Sequence, residues 1–439
     1  MATRRAIAAL ALALLVGCAA RTPLMPAPRL YTGDQARPLF TAVDPQHQES
    51  SIDLLYVTDR APRTDPEELL PYTSERSHSM AWGSVVVEIE PALDGAALAA
   101  ESVREERSID LDLALGATTE MDRFPPIPYP LERAEGGVRR ASAVMDVYER
   151  ASDGLRAEVT RRLEKAPRKE IVLYVHGYAN TFQDAAFTMG ELCHFLGREF
   201  ACAIFSWPAG GTRGLMAGYN VDRESGEFAV HHLKQAIRLI AGTPGLERMH
   251  LVAHSRGTDV LSSALRELSF EAFMAGSTLL DRFKLRHIVL AAPDMDMDVA
   301  IAKVFGVMSD PDLPFGGAPQ PRAVFPPPGI HITIYSSKSD KALGLSSWLF
   351  GSALRLGRAD IQEFTPEQAE RIARIAVLVD VIEVEGTPGF IGHSYFTGDP
   401  DASADLIALL RYGLAPGDPG RPLEKLMRPF WRIVPPDSR

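Results

Sequence analysis

From residue 141 onward, short apolar runs alternate with segments of helical length, and this alternation constrains the fold more than any other feature. The runs are Ile171 to Val175, Ala201 to Trp207, Met249 to Ala253, His287 to Ala292, His331 to Tyr335 and Val377 to Val384. Between most of them lie amphipathic stretches: Gln183 to Phe195, Glu224 to Ala241 and Gly257 to Leu268, with Ala141 to Leu163 ahead of the first run. A strand that is apolar at nearly every position has no face to offer to water, so it belongs in a sheet covered on both sides. A helix between successive strands makes that sheet parallel. Upstream, Ile52 to Val57 and Gly83 to Ile89 are rich in β-branched residues and bounded by turn residues, which predicts a small antiparallel region. The expected class is α/β, a mostly parallel sheet with helices on both faces and antiparallel N-terminal strands.

The first residues obey a different rule. Arg4 and Arg5 precede an unbroken apolar run from Ala6 to Val16, too short to span a membrane but the right size for a signal-peptide core. It ends in Leu15-Val16-Gly17-Cys18, which resembles the lipobox of bacterial lipoproteins, cleaved before a cysteine whose thiol is acylated. That resemblance implies a lipid-anchored protein of the bacterial cell envelope. Ala19 in place of aspartate implies the outer membrane, facing the periplasm. The expected division is residues 1–17 as signal peptide, 18–50 as a Pro- and Ala-rich tether, and 51–140 as N-terminal strands with an irregular extension. Residues 141–412 form the core and 413–439 a C-terminal extension. The net charge of −11, with no long basic run, argues against nucleic acid as a partner.

The chemistry concentrates at strand ends. Leu251-Val-Ala-His-Ser255-Arg-Gly257 carries a buried strand into a helix through a small-x-Ser-x-Gly turn. Such an elbow lifts a serine hydroxyl above the sheet and leaves the next N–H, that of Arg256, to bind an oxyanion. The tight turn presses small residues together, here Ala253 and Gly257, with Ala253 where glycine is usual. At the end of the first core strand, Val175-His176-Gly177-Tyr178 offers a second donor, the N–H of Tyr178. Read blandly, it is a strand terminator with an exposed histidine.

A nucleophilic serine needs a histidine base and an acid to orient it. Three histidines follow Ser255. His287 and His331 begin their strands and so sit at the wrong edge of the sheet, while His393 lies in a loop beyond the last strand. The acid is Asp340, after the strand His331 to Tyr335, or alternatively Asp294, which ends the preceding strand and could instead cap a helix. The spacing of Asp294, Asp296 and Asp298 lacks the glycine and closing glutamate of a calcium loop. No metal-ligand spacing is present, and this chemistry calls for no metal or organic cofactor.

The ordered set VHGYANTF (175–182), FSWPAGG (205–211), HLVAHSRG (250–257), LAAPDMD (290–296), YSSKSDKAL (335–343) and GHSYF (392–396) resembles a bacterial α/β-hydrolase family of unknown function described as esterase/lipase-like. YVTDRAP (56–62) and WGSVVVEI (82–89) extend the resemblance over roughly residues 50–412. It implies the α/β-hydrolase fold, a Ser255–Asp340–His393 triad and hydrolysis of small-molecule or lipid esters through an acyl-enzyme. Two rival readings keep the fold: a non-catalytic envelope lipoprotein, and acyl transfer by the same triad. Protein partners are not indicated.

Cys193 and Cys202 lie in apolar stretches and read as buried free thiols, although an oxidising compartment would permit pairing. Trp207 and the glycine-rich stretch after it either line a pocket or pack. Residues 294–330 and 343–356 are candidates for a cap or lid.

Overall fold

The computed structural model describes residues 21–33, 36–65, 70–211, 215–306, 331–343, 355–358, 366–367, 370, 378–385 and 393–434. The signal segment, Cys18 and most of both lid candidates (307–330 and 344–354) lie outside them. In chain order the elements are β1 (Thr22–Pro23), β2 (Ser51–Pro62), β3 (Tyr72–Glu90), α1 (Gly95–Ser102), β4 (Asp112–Arg123), β5 (Leu131–Ala134), β6 (Gly137–Arg140), α2 (Ser142–Lys165) and β7 (Glu170–Val175). There follow α3 (Phe182–Phe195), β8 (Ala201–Ser206), α4 (Leu215–Ala241), β9 (Arg248–His254), α5 (Gly257–Met274), α6 (Leu279–Phe283), β10 (Leu285–Ala291) and α7 (Met297–Ala300). The chain ends with β11 (His331–Ser336), β12 (Val379–Glu383), α8 (Tyr395–Gly398), α9 (Pro400–Tyr412), β13 (Leu423–Met427) and β14 (Phe430–Ile433).

Twelve of the described strands form one sheet in the order β1-β4-β3-β2-β8-β7-β9-β10-β11-β12-β14-β13. From β2 through β8 to β14 every neighbouring pair is parallel, and β2, β3 and β4 pair antiparallel. This is the expected α/β-hydrolase class. Every residue of β7 and β8 is buried, their apolar runs together with the polar ends Glu170 and Ser206. The pleat divides β7 between two cores. Ile171, Leu173 and Val175 meet the side packed by α2, α4 and α5, while Val172 and Tyr174 meet α3 and α9.

Three expectations about the division of the chain differ from the structure. The tether reading of residues 18–50 does not hold for its described part: Leu24, Met25, Tyr31 and Leu39 are buried in the α3/α9 core, and β1 pairs with β4. Isolated anchors spaced among prolines carry no periodicity, so pattern reading misses them. Within 51–140, the part read as an irregular extension supplies α1, β4 and the separate β5–β6 hairpin. The C-terminal extension is part of the sheet, because β14 lies parallel against β12.

The two cysteines are joined. Cys193 near the end of α3 and Cys202 at the start of β8 form a disulfide across a Cα–Cα distance of 6.1 Å. The turn between helix and strand brings them together, and apolar neighbours bury the bond without preventing it.

Candidate active site

Ser255 directly follows β9 with φ at +52°. A side chain in the left-handed region is strained and persists only where its surroundings over-determine it. Here the Ser255 N–H donates to Ala291 O at 2.9 Å, and its carbonyl accepts from Thr258 N (3.1 Å), Thr258 Oγ1 (2.7 Å) and Asp294 N (3.3 Å). The small residues of the elbow are needed for a reason other than the expected one. A Cβ on Gly257 would lie 2.2 Å from the carbonyl oxygen of His176 and 2.7 Å from that of Val175. The tightest squeeze therefore comes from the end of β7. Likewise, a Cβ on Gly177 would come within 2.7 Å of Ser255 Cβ. The HSRG and VHG motifs touch.

The fold brings His393 to Asp340. Asp340 follows β11 and is 1% exposed. Its Oδ2 accepts from His393 Nδ1 at 2.7 Å, and its Oδ1 accepts from Leu343 N–H at 3.0 Å. With Nδ1–H committed to the carboxylate, Nε2 is the ring atom able to take a proton. His254, adjacent to Ser255 in the chain, donates from Nε2 to the backbone oxygen of His393 at 3.2 Å, and the two rings lie 4.8 Å apart. Burial, then the neighbouring His393, holds the His254 imidazole well below its ordinary pKa. It is a neutral strut.

Asp294 is engaged elsewhere. Its Oδ2 accepts from Tyr219 Oη at 2.8 Å, and its Oδ1 lies 3.6 Å from Arg355 Nη1. The cap of α7 is Asp296, whose Oδ1 accepts from Asp298 N and Val299 N. Arg256 opens α5, where backbone N–H groups lack intrahelical acceptors. Its guanidinium is tied to Asp259 at 2.8 Å, and Asp259 in turn holds Lys303 at 2.7 Å.

His176 is fully buried, which replaces the exposed histidine of the bland reading. Its ring stacks on Trp207 at 5.1 Å, and Trp207, also fully buried, packs rather than lining an opening. Nδ1–H of His176 donates to Gly177 O at 2.9 Å, while Nε2 accepts from Trp207 N–H at 3.0 Å. Burial and the charge of Arg60 push this imidazole down to about 3, so it stays neutral. Gly177 N–H donates to Asn180 Oδ1 at 3.0 Å, and Ala179 N–H to Asp222 Oδ2 at 3.0 Å. Tyr178 thus sits between two pinned peptides. Its ring lies 5.3 Å from that of Tyr219.

His287 and His331 lie at the opposite edge. His287 stacks on His250, and His331 bonds Asp380. Sequence reasoning missed His254, Arg60 and Asp222. Only the placement of His254 next to the serine could have flagged it. Among the described residues no cluster of three or more His, Cys, Asp or Glu side chains is arranged to hold a metal ion.

A family model described as an alpha/beta hydrolase of unknown function (DUF900) matches residues 151–410. No curated protein matches the chain. Among solved structures it is similar to esterase B from Lactobacillus rhamnosis, solved with a tributyrin phosphonate inhibitor. That likeness is 13% identical, covers 48% of this chain and 80% of the other, and has a TM-score of 0.22. It is also similar to the phospholipase PlaB from Legionella pneumophila, at 15% identity over 52% of this chain and 42% of the other, with a TM-score of 0.22.

Proposed function

Since the chain belongs to the alpha/beta hydrolase family of unknown function DUF900, we propose that it is a serine hydrolase that cleaves carboxylic esters with Ser255, His393 and Asp340. Ser255 Oγ attacks the ester carbonyl as its proton passes to His393 Nε2. Asp340 holds the imidazole in the tautomer with Nδ1 protonated and stabilises the imidazolium. The N–H groups of Tyr178 and Arg256 receive the oxyanion. Collapse expels the alcohol, which takes the proton from His393. Water, deprotonated by the same imidazole, then attacks the acyl-enzyme and releases the carboxylic acid.

The observation that carries this reading is the strained, positive-φ serine whose chain neighbour, His254, bonds the backbone of an Asp340-paired histidine. Small-molecule and lipid esters are the substrate class. The test is fluorophosphonate labelling with peptide mapping, together with hydrolysis of p-nitrophenyl esters of graded chain length. An adduct on Ser255 and turnover abolished by Ser255→Ala are expected. A protein that neither labels nor hydrolyses sinks the proposal.

We further propose that the chain is exported and anchored through a lipid on Cys18. The lipobox-like sequence supports this, and the Cys193–Cys202 disulfide accords with an oxidising compartment. Thr22 is already paired in β1, at the edge of the sheet opposite Ser255. Metabolic labelling with a fatty-acid analogue, lost in Cys18→Ala, is the expected result; an unlabelled wild-type protein refutes the anchor.

A further inference from the structure

β2 delivers Thr58, Asp59 and Arg60 to the C-terminal edge of the sheet, and all three are buried. Thr58 Oγ1 donates to Ser206 O at 2.6 Å, and Asp59 Oδ2 pairs with His232 Nδ1 at 3.0 Å. Arg60 is 1% exposed. A guanidinium has five N–H donors in a rigid plane, and this one directs them at five acceptors. Nε donates to Ser206 Oγ (2.8 Å), Nη1 to Ala209 O (2.8 Å) and Thr73 O (3.2 Å), and Nη2 to Asn180 O (2.8 Å) and His176 Nε2 (3.3 Å). Burial draws the group down to about 10, which leaves it charged at neutral pH, with Asp59, Asp222 and Asp184 supporting the charge from farther away.

A buried cation spent on backbone carbonyls is costly unless the geometry it secures matters. The loop after β7 and the loop after β8 are each held twice. Arg60 takes their carbonyls, Asn180 O and Ala209 O, while Asp222 Oδ2 takes the next-door amides, Ala179 N (3.0 Å) and Gly210 N (3.3 Å). The loops pack closely enough that a Cβ on Gly210 would lie 2.8 Å from Asn180 O. Arg60 also reaches the candidate oxyanion donor by a second path. Together with the Trp207 N–H it faces His176 Nε2, which leaves the ring proton on Nδ1, and Nδ1 donates to Gly177 O. In a trans peptide the N–H points opposite to the C=O. Fixing Gly177 O therefore fixes the direction of the Tyr178 N–H.

We propose that Arg60 and Asp222 form a buried charge clamp that positions the oxyanion-binding loop, with Arg60 acting through His176 on the Gly177–Tyr178 peptide beside Ser255. Both are positioning residues. The proposal rests on the serine-hydrolase reading for its kinetic consequence, but the clamp has a consequence of its own in the loop.

The test compares Arg60→Gln, Arg60→Lys and Asp222→Asn in the full chain. In folded protein, Arg60→Gln should lower kcat on a p-nitrophenyl ester by about 10²-fold, the lower end of what loss of an oxyanion donor costs, with KM changed by less than about threefold. Arg60→Lys, compact and without the fork, should recover thermal stability but less than about tenfold of the lost kcat. Hydrogen–deuterium exchange over residues 177–181 should quicken in Arg60→Gln and Asp222→Asn. Wild-type kcat in folded Arg60→Gln overturns the clamp, and so does unchanged exchange in the loop. If Arg60→Gln does not fold, the isosteric Asp222→Asn carries both measurements. A wild-type protein without esterase activity defeats the serine-hydrolase reading alone, and the exchange experiment still decides the clamp.

Discussion

His254 Nε2 lies 3.2 Å from the backbone oxygen of His393, so the residue before the proposed nucleophile supports the backbone of the proposed base. Replacing it with phenylalanine keeps the ring and deletes the bond. His254→Phe should lower kcat by about tenfold, the scale of a misplaced catalytic group short of its removal. Its fold and the shape of its pH–rate profile should be retained, since the buried His254 stays neutral. A shifted acidic limb in steady-state rates would mean that His254 titrates in catalysis.

Asp340 and Asp294 separate by partner: one faces His393, the other Tyr219 and Arg355. Asp340→Asn should reduce kcat by about 10³–10⁴-fold, because the amide favours the wrong imidazole tautomer. Asp294→Asn should reduce it by less than about tenfold and instead lower stability by about 1–3 kcal/mol, as expected for a weakened buried hydrogen-bonded ion pair. Steady-state kinetics and urea melts on the two variants decide the assignment, and the reverse ranking would transfer the role of orienting acid to Asp294.

Gly257→Ala drives a methyl group into the carbonyls of Val175 and His176, at 2.7 and 2.2 Å. Backbone cannot yield as a side-chain tip can, so the change should cost about 3 kcal/mol, the upper end of ordinary overpacking. Fluorophosphonate labelling of Ser255 should slow as well. A variant with wild-type melting and labelling would contradict the described contact between β7 and the elbow.

Acid should destabilise the fold. His176 is pushed down to about 3 and His287 to about 2, and His254 is held well below its ordinary value, all chiefly by burial. Their unfolded pKa is about 6.5. The unfolded chain therefore binds these protons first, and stability is lost as pH falls below that value. Glu191 acts the other way. Burial raises it to about 8, so its contribution is present below its unfolded pKa and is lost as pH rises through 8. Each group changes stability by at most about 1.4 kcal/mol per pH unit, and between pH 6.5 and 5 three histidines outweigh one glutamate. The urea midpoint should be lower at pH 5 than at pH 7; equal midpoints would mean these imidazoles are not held neutral.

Reduction should also weaken the protein. The Cys193–Cys202 bond closes a loop with a sequence separation of 9, and breaking a disulfide of that size costs about 2–3 kcal/mol. Cys193→Ser should show the same lowered melting temperature with and without reductant, while the wild type should fall only when reduced.

The class of sheet was legible in the chain alone. Uniformly apolar runs such as Ile171 to Val175 have nowhere to go but between two layers, and the helices that follow them force parallel pairing. The sequence pattern also singled out the strand-to-helix turn at Ser255 and the edge on which His287 and His331 fall, because chain direction alone assigns each residue to one end of a parallel strand. Tertiary structure decided what depends on distant contact. His393 meets Asp340 across 53 residues, and Arg60 meets Asn180 across 120. Local pattern reports whether a side chain is buried, but not which buried group it will face. The same limit explains why Leu24 and Tyr31 could read as tether and Cys193 and Cys202 as free thiols. Periodicity records the average environment of a segment, whereas a single anchoring contact or a single bond is fixed only when the chain closes on itself.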